Sequence, residues 1–326
     1  MTNLLIVILN YRTPRLTVDC LRSLQDKLDE VPGTKAIVVE NGSADGSADT
    51  IARAIADNNW SDWAELLALA DNRGFAGGNN AALDLLNTDP RFKETPWVLL
   101  LNSDTLIHPG ALRYCHEMMQ AEPTVGVMSC QLLNADGSLQ NVTRDFPTPV
   151  KQAVCSFGLP WTWPRRFKWA DIYDISDDLL KQKRDVDWLG GAFMFMRRTA
   201  LDQIGGGLDH SFFFYGEDIE FCHRFHKHGW RVHYDPTVAI THIGGSSSDP
   251  TRVSGKLKNI YMWQARYQVQ KKCYGHAAAW LIRGCDVLAL GLKKAKMLIT
   301  GKRRSDPDRY KNVSDALAML LKPLRV

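Results

Sequence analysis

Residues 97–104 read WVLLLNSD, an unbroken apolar run that ends directly in three polar residues. An apolar run this short, bounded by turn-forming residues, is typical of a buried strand. The same pattern occurs three times earlier in the chain, at residues 4–9, 36–39 and 66–70. Apolar residues at helical spacing separate these runs. The alternation predicts an α/β fold with a mostly parallel, mixed sheet flanked by helices.

The polar residues that follow the four runs form the first candidate site. They are Asn10-Tyr11, Glu40-Asn41, Asn72-Arg73-Gly74 and Asn102-Ser103-Asp104. Ligands of such sheets bind outside the carboxyl ends of the strands. Turn chemistry alone would explain any one of these ends, because Asn, Asp and Gly favour turns. Four in succession favour a shared site.

A glycine-rich segment, GFAGGNN at residues 74–80, follows the third run. It matches neither GxGxxG nor GxxxxGK[ST], so dinucleotide-binding and P-loop interpretations have no motif support. Glycines before a helix let the backbone approach a phosphate and offer amide donors to it. A tight turn that requires positive φ would explain the same spacing, and both interpretations stay open.

Asp104 and the pair Glu217-Asp218 are the candidate functional carboxylates. A single carboxylate can hold Mg²⁺ or Mn²⁺ when substrate phosphates complete the coordination shell. Glu217 and Asp218 open a predicted helix, where the helix dipole favours carboxylates, so helix capping is the alternative for them. His242 follows a predicted strand. Taken alone, a histidine in this position is more typical of a structural role than of a metal ligand.

Composition excludes several classes of protein. The 326 residues are 45% hydrophobic and carry a net charge of +4, which is typical of a globular chain and too small to indicate nucleic-acid binding. The seven cysteines are scattered without a CxxC pair, which favours a reduced, cytoplasmic protein. The N-terminal run lacks a basic n-region, so we expect a strand there and not a signal peptide.

The charge is unevenly distributed. Residues 251–304 contain thirteen Lys or Arg and one acid, Asp286, interleaved with aromatic and aliphatic residues. We therefore predict a catalytic domain over residues 1–250 and a basic, amphipathic helical region over 251–326. This region suits an anionic membrane surface; a helical appendage with solvated charges is the alternative. A Trp- and Arg-rich stretch at residues 161–166 could join that surface.

Taken together, the motifs resemble the family 2 inverting glycosyltransferases with the GT-A fold, especially the bacterial rhamnosyltransferase-like branch. The resemblance covers about residues 3–250. The residues that carry it are VILNY at 7–11, VVENGS at 38–43, NRGFAGGNN at 72–80, LNSD at 101–104, GAFM at 191–194, FYGEDIE at 214–220, and His242.

The resemblance implies a role for each matching residue. Asp218 is implied as the catalytic base, with Glu217 beside it, while Asp104 and His242 are implied to bind a divalent Mg²⁺ or Mn²⁺. Asn102 stands at the first position of the family's metal-binding motif. The implied donor-binding residues are Asn10, Tyr11, Glu40, Asn41, Asn72, Gly74, Phe75, Gly78, Asn80, Asn102 and Ser103. The implied acceptor-side residues are Trp188, Gly190 and Gly191.

The resemblance also implies a function. We expect transfer of a sugar, with L-rhamnose from dTDP-rhamnose as the best candidate, from a dTDP- or UDP-sugar to a glycan or polyprenyl-linked acceptor. The expected place is the cytoplasm, peripheral at the inner face of the cell membrane, with no nucleic-acid partner. Two alternatives remain: a nucleotidyltransferase on a similar scaffold, and an inactive, membrane-associated glycan-binding protein.

Overall fold

The structure is a computed structural model that describes residues 1–172, 176–244 and 255–322. The chain divides into two compact units. The first contains Met1–Asp145 and Ile175–Tyr261, and the second contains Phe146–Asp174 and Met262–Val326. The predicted domain boundary at residues 250 and 251 lies outside the described residues.

Ten strands of the described chain form one mixed sheet, in the order β3-β2-β1-β4-β11-β6-β12-β5, with β7 on β6 and β9 on β12. A separate antiparallel pair joins β10 to β8. The strands are β1 (Leu4–Asn10), β2 (Thr34–Asn41), β3 (Ala64–Leu69), β4 (Trp97–Asn102), β5 (Thr105–Ile107), β6 (Val125–Leu133), β7 (Leu139–Gln140), β8 (Thr143–Arg144), β9 (Arg184–Asp185), β10 (Trp188–Leu189), β11 (Phe193–Arg197) and β12 (Arg231–His242).

Helices alternate with the strands in the first half of the chain and dominate its C-terminal end. They are α1 (Pro14–Gln25), α2 (Ser47–Asp57), α3 (Gly74–Leu83), α4 (Leu85–Thr88), α5 (Ala111–Ala121), α6 (Pro149–Ser156), α7 (Leu159–Thr162), α8 (Pro164–Phe167), α9 (Asp177–Leu180), α10 (Arg198–Gln203), α11 (Glu217–Lys227), α12 (Gly255–Tyr274), α13 (His276–Ile299), α14 (Lys302–Ser305) and α15 (Pro307–Leu321). Short 3₁₀ turns lie at Leu28–Glu30 and Lys168–Ala170.

The four apolar runs of the sequence are the four parallel strands β1 to β4. In β1, the side chains of residues 4–8 are completely buried. Strands β1, β2 and β4 are covered on both faces, which explains why their runs are continuously apolar, whereas the edge strand β3 is partly exposed. The predicted α/β class, with a mostly parallel, mixed sheet and C-terminal helices, is confirmed.

Residues 232–234 and 238–240 resemble two short strands in the sequence, but both segments belong to β12. It is one strand with a register shift between Asp235 and Ala239 against β6. Pro236 cannot donate a ladder hydrogen bond, and the Asp235 carboxylate accepts from the Thr237 N–H and hydroxyl. The interruption is therefore a bulge inside a continuous strand, which carries His242 at its end.

Strand register brings the polar ends to one edge of the sheet. Asn10 pairs with Glu40 across β1 and β2, and Leu9 pairs with Asn102 across β1 and β4. At β12, His242 pairs with Thr105 of β5. Because carboxyl ends of neighbouring parallel strands meet at the same edge, the predicted site residues are gathered there.

The second unit has its own small core, formed by Tyr267, Ile282 and Leu320. The Asp286 carboxylate is buried in it. It accepts hydrogen bonds from Arg266 Nε at 2.9 Å and Nη2 at 2.6 Å, and from the Tyr267 hydroxyl at 2.8 Å. Among the described residues, no helix combines the length and apolar character needed to cross a bilayer.

Candidate functional site

A cavity of about 580 Å³ opens at the carboxyl edge of the sheet in the first unit. Its volume is within the range of small-ligand sites. Predicted site residues that line it are Tyr11, Asn41, Asn72, Gly74, Phe75, Asn102, Ser103, Asp104, Gly190, Gly191, Glu217, Asp218 and His242. The sheet edge and the N-terminus of α11 thus converge on one space.

Asn10 and Glu40 are buried and are not among the lining residues. Asn10 Oδ1 accepts from the Thr17 hydroxyl at 2.9 Å, and Glu40 Oε1 accepts from the Ser43 N–H at 2.9 Å. The Asn10 amide faces the same Glu40 oxygen at 3.4 Å. In this structure both side chains hold together the loops after β1 and β2.

The loop that precedes α3 is fixed by Asn41. Its Nδ2 donates to Asn72 Oδ1 and to the Gly74 carbonyl, both at 3.0 Å, while its Oδ1 accepts from the Arg73 N–H at 3.0 Å. Gly74 has φ +71°, and a Cβ there would lie 2.3 Å from the Phe213 carbonyl oxygen. The glycine is therefore required by this turn and by the close approach of residue 213.

Two predicted donor-binding residues of α3 make packing contacts. A Cβ on Gly78 would lie 2.5 Å from Leu9 Cδ1, so this glycine lets α3 approach β1 closely. Asn80 donates to the Leu208 carbonyl at 2.8 Å and accepts from the Leu208 N–H at 2.9 Å. Neither residue is among those that line the cavity, and Trp188 is not among them either.

Asp104 and His242 face one another on the cavity wall, with 3.2 Å between Oδ1 and Nε2. The other ring nitrogen, Nδ1, hydrogen-bonds Gln140 Oε1. The Gln140 Nε2 donates to Asn134 Oδ1 at 2.8 Å, so the amide presents its oxygen to the ring. Nδ1 therefore carries a proton, and Nε2 faces the Asp104 carboxylate.

This arrangement fits a divalent cation. A neutral His242 ring would present its Nε2 lone pair next to the Asp104 carboxylate oxygen, and the two atoms could then bind the same cation. Adjacent ligands of an octahedral ion with bonds of about 2.1 Å are about 3 Å apart. No group of three or more His, Cys, Asp or Glu suited to a metal occurs among residues 1–172, 176–244 and 255–322. Two protein ligands suit an ion that keeps waters and takes phosphate oxygens.

The turn before α11 positions the second pair of carboxylates. Tyr215 and Gly216 have φ +70° and +87°, an unusual conformation for a tyrosine. Glu217 and Asp218 follow as the first residues of the helix, and Asp218 Oδ1 accepts from the Ile219 N–H at 2.9 Å. The buried Glu217 Oε2 has no hydrogen-bond partner in the described part of the chain.

The two carboxylates differ in acidity. Burial and, to a smaller extent, the charge of Asp218 raise the pKa of Glu217 to about 8. Burial raises the pKa of Asp218 to about 6, although the Ile219 N–H and the Arg144 charge oppose this rise. The pair therefore keeps a proton at a higher pH than free carboxyl groups would, and the rise in pKa is larger for Glu217. A pair of carboxyl groups with separated pKa values can supply a hydrogen-bond donor and a base.

Several lining residues were missed by sequence reasoning: Leu9, Leu132, Gln140, Asn141, Val142, Ala192, Phe213, Phe214, Tyr215 and Tyr261. The rings of Phe213 and Tyr261 lie 5.3 Å apart, although 48 residues separate them in the chain. Phe214 and Tyr215 belong to the quoted FYGEDIE motif, which could have pointed to them. Gln140 and Tyr261 carry no comparable sequence signal.

Comparison with known proteins identifies the family of this chain. The family described as "Glycosyltransferase like family 2" matches residues 2–261. The N-acetylglucosaminyl-diphospho-decaprenol L-rhamnosyltransferase of Mycobacterium tuberculosis (strain ATCC 25618 / H37Rv) is 25% identical over 276 residues, which cover 82% of this chain and 85% of that protein. The rhamnosyltransferase WbbL of Escherichia coli (strain K12) is 26% identical over 201 residues, which cover 60% of this chain and 72% of that protein.

A solved structure supports the fold. The mannosyltransferase PcManGT from Pyrobaculum calidifontis, in complex with GDP-Man and Mn²⁺, aligns with a TM-score of 0.53 and 18% identity. The alignment covers 98% of this chain and 84% of that chain. The predicted GT-A fold is thereby confirmed. Since the family match spans most of the sequence, the chain belongs to the family 2 glycosyltransferases and is rhamnosyltransferase-like.

Proposed function

We propose that the protein transfers a sugar, with inversion, from a nucleotide-sugar donor to a hydroxyl of a glycan or lipid-linked glycan. The observation that carries this proposal is that the Asp104–His242 pair and the Glu217–Asp218 pair line the same cavity. One pair suits a cation that binds a diphosphate, and the other pair suits proton transfer from an acceptor hydroxyl.

Asp104 and His242 would hold Mg²⁺ or Mn²⁺. When bound, the ion supplies positive charge to a departing nucleoside diphosphate. Asn102 lies beside this pair, with its Nδ2 3.4 Å from His242 Nε2, and can donate to a phosphate oxygen or to a water. The structural relative that holds GDP-Man and Mn²⁺ has the same fold, which is compatible with such a site.

Asp218 is the proposed base. It lines the cavity and lies at the N-terminus of α11. Its carboxylate would accept the proton of the acceptor hydroxyl as that oxygen attacks the anomeric carbon from the face opposite the diphosphate. Such a direct displacement inverts the anomeric centre. The protonated Glu217 would donate a hydrogen bond to a substrate oxygen, which would satisfy its buried Oε2.

The relatives suggest the donor and acceptor classes. Both curated relatives are named as rhamnosyltransferases, and one acts on N-acetylglucosaminyl-diphospho-decaprenol. We propose L-rhamnose from dTDP-rhamnose as the leading donor, with other dTDP- and UDP-sugars next, and a polyprenyl-linked glycan as the acceptor. We also propose that the protein works in the cytoplasm, peripheral to the inner face of an anionic membrane.

A donor panel tests this function. The purified protein is incubated with each labelled dTDP- or UDP-sugar, N-acetylglucosaminyl-diphospho-polyprenol and either Mg²⁺ or Mn²⁺. Released nucleoside diphosphate and a product of opposite anomeric configuration support the proposal. Released pyrophosphate would instead identify a nucleotidyltransferase, and no turnover with any donor would favour a glycan-binding protein.

Matched variants test the roles proposed for the Asp218 and Asp104 carboxylates. Asp218→Asn should lower kcat by about 10²–10⁴-fold, the usual contribution of a general base. Asp104→Asn should weaken the response to Mn²⁺. Asp202→Asn, at an exposed residue of α10 that pairs with Arg198, is the control and should leave turnover unchanged. Full turnover by Asp218→Asn would remove this residue from the mechanism.

A further inference from the structure

Helix α13 carries an unusual exposed face. Seven of its positions are solvent-exposed and lie within about 40° of one line along the helix, at 100° per residue. None of the seven is charged or polar. They are Ala277, Leu281, Gly284, Leu288, Leu292, Ala295 and Ile299. We call this set the α13 stripe.

The α13 stripe is long and strongly exposed. Its first and last residues are 22 positions apart, which corresponds to about 33 Å at 1.5 Å per residue. Leu288 and Leu292 are 55% and 58% exposed, and Ile299 is 86% exposed. A continuous, exposed apolar face of this length marks an interaction surface.

The other side of α13 is already occupied. Ile282 and Asp286 are buried, and Asp286 is held by Arg266 and Tyr267. The helix also contacts α6 and α15. The α13 stripe therefore does not serve the packing of the unit.

The charge of the second unit indicates which kind of partner the α13 stripe contacts. The second unit contains 18 Lys or Arg and 6 Asp or Glu, a net charge of +12. Lys296 is exposed on α13 beside the stripe, and Lys302, Arg303 and Arg304 are exposed directly after the helix. Two copies of such a unit would repel one another, whereas an anionic surface would attract it.

A second exposed set lies in the same unit. Trp161, Trp163 and Trp169 are between 54% and 64% exposed. Arg165, Arg166 and Lys168 lie between them in the chain and are exposed as well. Tryptophan, with an apolar ring and a polar N–H, favours the interface between lipid headgroups and acyl chains. These residues support the same partner as the α13 stripe.

We infer that the α13 stripe is a membrane-docking face, which lies in the plane of an anionic lipid surface with its leucines among the acyl chains. An interfacial helix combines an apolar face with flanking cations in this way. The inference deepens the proposed membrane-linked function, and it names the residues that would make the contact.

Vesicle sedimentation tests the inference. The full chain is mixed with vesicles of phosphatidylglycerol and phosphatidylcholine in equal parts, and with vesicles of phosphatidylcholine alone. The wild type should bind the anionic vesicles. The double variant Leu288→Gln/Leu292→Gln has the same charge, and its affinity for these vesicles should be lower by about tenfold or more. Leu179→Gln, an exposed leucine of the first unit, is the matched control and should bind as the wild type does.

Further measurements separate the possible failures. Equal vesicle binding by Leu288→Gln/Leu292→Gln and the wild type would overturn the inference. The inference would also be overturned if light scattering showed a dimer of the wild type and a monomer of the double variant, since the stripe would then contact a second copy of the chain. Nucleotide release with a water-soluble acceptor tests the catalytic proposal separately. We expect the double variant to keep that activity and its circular dichroism spectrum.

Discussion

The substitution Glu217→Gln should stabilise the protein at high pH, because it removes a buried carboxyl group that ionises at a cost. Glu217 is 6% exposed, and its Oε2 has no hydrogen-bond partner among the described residues. Burial and the Asp218 charge raise its pKa from 4.5 to about 8. At about 1.4 kcal/mol for each tenfold change, this rise corresponds to an ionisation cost on the order of a few kcal/mol.

The pH window follows from the two pKa values. Below pH 4.5 the carboxyl is protonated in both the folded and the unfolded chain. Between pH 4.5 and about 8 the unfolded chain releases the proton while the folded chain keeps it, so the wild type loses stability as pH rises. Above about pH 8 both states are ionised and the loss is complete. Glutamine has no proton to lose and avoids this loss.

Urea unfolding of both proteins, at about pH 5 and about pH 9, measures the effect. We expect the two free energies of unfolding to differ little at the lower pH, and Glu217→Gln to be more stable by about 2 kcal/mol at the higher pH. Glu220→Gln, one turn along α11, is the control. It should lower the free energy of unfolding at the higher pH, because Glu220 pairs with Arg224 at 2.9 Å. If Glu217→Gln were less stable at high pH, the carboxylate would act as a helix cap and our account would be refuted.

Two further substitutions test contacts found only in the structure. Gln140→Leu removes the acceptor that orients His242, and we expect Mn²⁺ affinity, measured by calorimetry, to fall about 10–100-fold; an unchanged affinity would contradict the positioning role. Asp286→Ala leaves the Arg266 guanidinium buried without its carboxylate, so the second unit should lose about 3–5 kcal/mol in denaturant unfolding; a loss below about 1 kcal/mol would show that the pair contributes little.

The order of apolar runs was sufficient to predict the α/β class. The runs of β1, β2 and β4 are continuously apolar because these strands are covered on both faces, so the local sequence reports the tertiary environment directly. The polar ends of β1, β2 and β4 could be placed at one edge for the same reason, since parallel strands share a direction. Glu217 and Asp218 were recognisable through the FYGEDIE motif.

The contacts of Gln140 could not be predicted in this way. It lies on β7, a two-residue strand that gives no periodic signal, and it meets His242 only because β7 pairs with β6 beside β12. Tyr261 reaches the cavity for a similar reason, as it packs on Phe213. Both contacts depend on strand order and helix placement, which local propensity does not encode.

The sequence by itself determined the sheet, the family and the basic character of the C-terminal helices, because hydrophobic period, motif order and charge are properties of the chain. Only the tertiary structure decided which apolar residues of α13 are covered. Ile282 and Leu288 are equally apolar in sequence, yet one is buried beside Tyr267 and the other faces solvent. The difference arises from the neighbours that each face of a helix meets, and these come from distant parts of the chain.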